Sequence, residues 1–109
     1  MKVAIIGSRT ITIKNIEDYI PNDTTEIISG GAKGADTCAK IFAESNNIIY
    51  TEFLPDYKKY GRAAPIVRNR LIVDSADIII AFWNGTSKGT KSVIDYCNKI
   101  GKEILVYTF

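Results

Sequence analysis

The chain is 109 residues long, 46% hydrophobic and 24% charged, which fits one globular domain able to bury a core without disulfides or metals. Its net charge of +2 is too small to draw duplex nucleic acid by bulk electrostatics, and no apolar run approaches the ~20 residues of a membrane span. Met1 to Gly7 stops being apolar at Gly7 and lacks a small-residue cleavage site, so it is expected to be a first strand rather than a signal peptide, in a cytoplasmic protein. The absence of histidine removes the commonest general base and metal ligand, and no metal site is expected. Cys38 and Cys97 are far apart and each falls on the apolar side of a predicted helix, the pattern of buried reduced thiols.

In chain order, the first predicted strand is Lys2–Ile6. Ile13, Ile16, Tyr19 and Ile20 then suggest a short amphipathic helix ending at Pro21. A strand over Thr25–Ile28 leads into Ser29-Gly30-Gly31-Ala32-Lys33-Gly34-Ala35-Asp36. Ala35, Cys38, Ala39, Phe42 and Ala43 form a stripe at helical spacing. The third strand, Ile49–Phe53, is mixed in character and suits an edge. Leu54 to Ala64 reads as an irregular segment of functional length. Pro65 fits the first position of a helix whose predicted buried stripe is Ile66, Val67, Leu71 and Val73. The continuously apolar strand Asp77–Phe82 precedes a second glycine loop, Asn84-Gly85-Thr86-Ser87-Lys88-Gly89-Thr90. The last helix carries Val93, Cys97 and Ile100, with Thr90 as its expected N-cap and Gly101 past its end. Glu103–Tyr107 is the fifth strand.

Strand and helix alternate throughout, which predicts an α/β protein: a three-layer parallel sheet of five strands in the order 3-2-1-4-5. The first two helices would cover one face and the last two the other, keeping Cys38 and Cys97 apart. In such a sheet ligands bind beyond the C-terminal strand ends, where strand order reverses. That point lies between strands one and four, so Gly7-Ser8-Arg9, the Gly30–Asp36 loop and the Asn84–Thr90 loop converge on one rim. Glycine turns leading into helix N-termini suit an anion, since backbone N–H groups and the helix dipole both favour negative charge.

Each motif also has a structural reading. The Gly30, Gly31 and Gly34 turn could serve close helix packing, and Gly7 could simply end its strand. Asp36 could cap its own helix as readily as touch a ligand. Arg68 lies near a helix N-terminus, where a cation opposes the dipole by about 0.3–1 kcal/mol; an anion between the two would resolve the conflict. Arg62 and Arg70 fit either a ligand or a carboxylate such as Asp56 or Asp74. The Asn69 amide could read a base or ribose edge. Tyr57 and Tyr60 offer stacking surface for a nucleobase, and Trp83 suits core or rim.

In order and spacing, Gly7-Ser8-Arg9, Gly30-Gly31-Ala32-Lys33-Gly34-Ala35-Asp36, Pro55-Asp56-Tyr57, Ala64-Pro65-Ile66-Val67-Arg68-Asn69 and Asn84 to Thr90 resemble the YspA/YpsA-related branch of the SLOG superfamily, which also holds the DprA/Smf and LOG proteins. The resemblance spans nearly the whole chain. It implies a Rossmann-like domain over residues 1–109 that binds a nucleotide or nucleotide-derived ligand, in a group whose members are often sensors or effectors in bacterial conflict and stress systems or in phage. Members commonly dimerise, so a homo-oligomer is compatible with it.

Two functions follow as expectations. The first is a binding module that senses or sequesters such a ligand, with phosphate on the N–H groups of residues 30–34 and 86–90 and charge from Arg9 and Arg68. The second is a nucleotide hydrolase or nucleosidase related to the LOG phosphoribohydrolases, with Asp36 or Asp95 as acid–base residue. Arg68 resembles the LOG arginine. The LOG glutamate position falls near Ser92 and Val93, where no acid stands, and this favours binding. No cofactor is expected, though a phosphate ligand could bring Mg²⁺. Single-stranded DNA binding of the DprA kind would need a wider basic surface than this chain carries.

Overall fold

A computed structural model describes every residue except Ala32 and Lys33. Five parallel strands, β1 (Lys2–Gly7), β2 (Glu26–Ser29), β3 (Ile49–Glu52), β4 (Ile78–Trp83) and β5 (Ile104–Thr108), form one sheet in the order β3-β2-β1-β4-β5. Helices α1 (Ala35–Ser45), α2 (Tyr57–Tyr60), α3 (Ala64–Ser75) and α4 (Lys88–Ile100) complete a Rossmann-like α/β architecture. The observed strands begin or end within a residue or so of the expected ones.

The strand sequences explain both cores. Side chains alternate across a strand, so Val3, Ile5, Ile27, Ile78, Ile80 and Phe82 face one side. Ala4, Ile6, Ile28, Ile79 and Ala81 face the other. The fully buried alanine stripe Ala35, Ala39, Ala43 lets α1 approach the first face closely. α3 and α4 cover the second face through Ile72, Val73, Val93 and Cys97. Cys97 is thus on one side of the sheet and Cys38 packs on the other; both are free thiols.

Three elements differ from the sequence-based expectation. The segment before Pro21 is not an amphipathic helix. Only a 3₁₀ turn, Ile16–Asp18, forms there, and no side chain caps it. A stretch this short and rich in β-branched residues nucleates a helix poorly, yet Ile11, Ile13, Ile16 and Ile20 still bury against the sheet. In α3 the expected stripe holds at Val73, which is fully buried, and fails at Ile66 and Leu71, which are 50% and 46% exposed. The inward face runs Pro65, Arg68, Asn69, Ile72, Val73 and Ala76, at helical spacing. Leu54 to Ala64 is not irregular, since α2 and a 3₁₀ turn over Gly61–Ala63 occupy most of it. Asp56 starts α2 by accepting Lys59 N–H at 3.1 Å.

Candidate functional site

The C-terminal ends of β1, β2 and β4 and the N-terminal ends of three helices enclose a cleft of about 440 Å³, within the size range of small-molecule sites. Gly7, Ser8 and Arg9 line it from the β1 loop, and Gly30 and Asp36 from the β2 loop and first turn of α1. Arg68 and Asn69 enter from α3; Asn84, Ser87, Gly89 and Thr90 enter from the β4 loop and the start of α4. The sequence reading missed Thr10, Pro65 and the apolar floor of Ile6, Ile72 and Val93. Apolar residues at strand and helix positions look the same in sequence whether they support a cleft or a core.

Hydrogen bonds tie the rim together. Ser8 is buried, and its hydroxyl accepts Asn84 N–H at 3.2 Å, joining the β1 and β4 loops. Asn84 Oδ1 in turn accepts Thr86 N–H at 2.9 Å and Ser87 N–H at 2.8 Å, while its Nδ2 donates to Thr10 at 3.3 Å. Ser87, rather than the expected Thr90, is the N-cap of α4: its Oγ accepts Thr90 N–H at 3.4 Å. Gly101, in left-handed conformation, ends that helix as anticipated. Lys88 and Gly89 supply the first two amides of α4. Neither has an acceptor among the described residues, as expected for the first turn of a helix.

Arg68 reaches across the cleft. Its Nη1 donates to Gly30 O at 3.0 Å and its Nε to Asn69 Oδ1 at 2.8 Å. Among the described residues neither Arg9 nor Arg68 forms an ion pair; the pair present is Lys91–Asp95, at 2.8 Å on the exposed face of α4. Asp95 therefore stands outside the cleft. Asp36 lies inside it, 5% exposed, with Oδ2 accepting Gly30 N–H at 3.1 Å.

Other expected site residues take different positions. Gly31 N–H donates to Ser29 Oγ at 3.4 Å, so the Gly30 and Gly31 amides are both engaged inside the protein. Gly31, Gly34, Gly85, Thr86 and Lys88 do not line the cleft, and Ala32 and Lys33 lie outside the described residues. Gly34 has φ +79°, and a Cβ there would stand 2.7–2.8 Å from the carbonyl oxygens of Ser8, Arg9 and Ile11. It interlocks two loops. Tyr57 is 61% exposed and, like Tyr60, not part of the cleft wall. Trp83 braces the β4 loop through Nε1 to Ser87 O at 3.1 Å. Among the described residues Arg70 pairs with no carboxylate; its guanidinium stands 5.3 Å over the Tyr96 ring, whose hydroxyl donates to Asp74 at 3.1 Å.

Among the described residues no group of three or more Cys, Asp or Glu side chains could hold a metal ion, and no helix is long and apolar enough to cross a membrane. Set against known protein families, curated proteins and solved structures, the chain matches none of them.

Proposed function

We propose that the cleft binds the phosphate end of a nucleotide or nucleotide-derived ligand, and that the protein senses or sequesters that ligand. The observation that carries this reading is the start of α4. There the amide of Gly89, which lines the cleft, has no acceptor among the described residues, and a Cβ at Gly89 would meet nothing within 4 Å. A backbone donor at a helix N-terminus, with open space beside it and two guanidinium groups on the same cleft, favours a compact anion. The Gly30–Gly31 amides are a poorer anion site, because Asp36 and Ser29 already accept from them. The phosphate therefore belongs on the β4 side of the cleft, between α4 and Arg68, with Arg9 at the mouth. Asn69, Asn84, Ser87 and Thr90 offer polar contacts along the way.

Hydrolysis is the second reading, and it rests on Asp36, the carboxylate that lines the cleft. A hydrolase needs that acid near the scissile bond and a group to activate water. One experiment separates the readings. Purified protein is titrated calorimetrically with inorganic phosphate and a panel of nucleoside monophosphates, and the same mixtures are assayed for released base or ribose phosphate. Saturable binding without release supports the binder; steady release supports the hydrolase. Arg68→Ala is expected to weaken binding about tenfold or more, since a charge-assisted contact is lost. It should cost only about 1 kcal/mol of stability through the Gly30 hydrogen bond. Unchanged affinity in a folded Arg68→Ala variant would remove Arg68 from the site.

A further inference from the structure

Ser29 closes β2 immediately before Gly30 and is fully buried. Its Oγ lies 2.5 Å from the Tyr50 phenol oxygen and accepts Gly31 N–H at 3.4 Å. Tyr50 sits on the edge strand β3, and its O–H donates to Glu52 Oε1 at 3.1 Å. Burial, more than any other influence, pushes the Tyr50 phenol up to about 12, so it keeps its proton at neutral pH. A phenol that donates to Glu52 accepts from Ser29, and a hydroxyl that donates to Tyr50 accepts from Gly31. The protons therefore all point one way, from Gly31 through Ser29 and Tyr50 to the Glu52 carboxylate. That carboxylate also presses on the loop from outside: a Cβ at Gly31, where φ is +72°, would stand 2.6 Å from Glu52 Cδ. The neighbouring residue, Gly30, lines the cleft and holds Arg68 Nη1 on its carbonyl.

We infer that Tyr50 and Glu52, neither of which touches the cleft, are positioning residues for it: they fix the Gly30–Gly31 peptide and, through the Gly30 carbonyl, the guanidinium of Arg68. The consequence for ligand binding rests on the phosphate-binding reading of the cleft; the coupling between β3 and Arg68 does not. Nothing in the sequence signals this role, because Tyr50 and Glu52 lie on a mixed edge strand where polar side chains are ordinary.

The test uses Tyr50→Phe, Glu52→Ala and Glu52→Gln, each checked for wild-type cooperative unfolding in urea. Amide exchange at Gly30 and Gly31 and the Arg68 Nε–H resonance are followed by NMR, and the affinity for adenosine 5′-monophosphate by calorimetry. Tyr50→Phe should speed exchange at Gly31, the amide on this chain, about tenfold, the effect of losing roughly one hydrogen bond. It should also shift the Arg68 signal and weaken nucleotide binding about three- to tenfold. Glu52→Ala should do the same. Glu52→Gln keeps an acceptor oxygen and should restore wild-type behaviour, which a bulk packing defect would not do. Unaltered glycine exchange and an unaltered Arg68 signal in Tyr50→Phe would overturn the inference, as would a Glu52→Gln variant indistinguishable from Glu52→Ala. If wild-type protein fails to bind the nucleotide, the reading of the cleft falls, while the exchange and Arg68 data still decide this one.

Discussion

Gly34 and Gly89 share a letter and little else. Gly34 combines φ +79° with three carbonyl oxygens around the place a Cβ would take, so Gly34→Ala meets both backbone strain and a clash with rigid atoms. A destabilisation of about 3 kcal/mol is expected, readable as a lower urea midpoint. Gly89 sits in the first turn of α4 with no positive φ and open space ahead of it. Alanine there should stabilise the fold by about 0.5–1 kcal/mol, since glycine is a poor helix former. The same methyl would intrude on the proposed phosphate position, so phosphate affinity should fall about tenfold, or roughly 1.4 kcal/mol. A variant that gains stability and keeps full affinity would place the anion elsewhere. Sequence reasoning grouped these glycines into one cradle. It could not see that Gly34 is occupied by loop–loop packing, because the carbonyls it meets belong to residues more than twenty positions earlier.

At the scale of elements, the strands were legible, and α3 and the segment before Pro21 were misread for opposite reasons. β1 and β4 are apolar on both faces because both faces are covered, and that continuity is visible in the chain. α3 misleads because Arg68 and Asn69 occupy the inward face alongside Ile72 and Val73. A stripe interrupted by two polar residues looks like the wrong side of a helix. The interruption is itself the signal, since a charged side chain on an inward face needs a partner or a ligand. The segment over Ile13–Ile20 fails in the other direction: its isoleucines have helical spacing and are buried, but burial does not require a helix. The boundary of α4 was misjudged by three residues because Ser87 and Thr90 are both good caps. The choice falls to Ser87 because Asn84 gathers the Thr86 and Ser87 amides and aligns the turn before the helix begins. Ser87→Ala should cost about 1 kcal/mol, measured by urea unfolding. Thr90→Ala should cost less at that helix end, because its hydroxyl does not serve as the cap.

At the scale of the whole molecule, three groups among the described residues tie stability to alkaline pH. The Tyr50, Tyr96 and Cys97 protons are all held more tightly in the folded state than in the free side chains. Burial is the leading cause in each; the Asp74 carboxylate adds to it at Tyr96, and Lys102 works against it at Cys97. Where the folded state binds more protons than the unfolded state, stability falls as pH rises. For Cys97 the decline begins near the ordinary thiol value of 9.0. For Tyr50 it begins near the ordinary phenol value of 10.0 and is complete above about 12. Below pH 9.0 all three contributions are fully present and none of them should make stability vary. Urea midpoints collected across this range should therefore be level with respect to these groups up to about pH 9 and descend beyond it. In Tyr50→Phe the descent between pH 10 and 12 should be shallower, since one of the protons lost there is gone from both states, while the part due to Cys97 and Tyr96 remains. A Tyr50→Phe curve parallel to wild type over that interval would mean that the phenol ionises as freely in the folded protein as in the unfolded chain, and that burial, with the Glu52 carboxylate beside it, does not hold its proton.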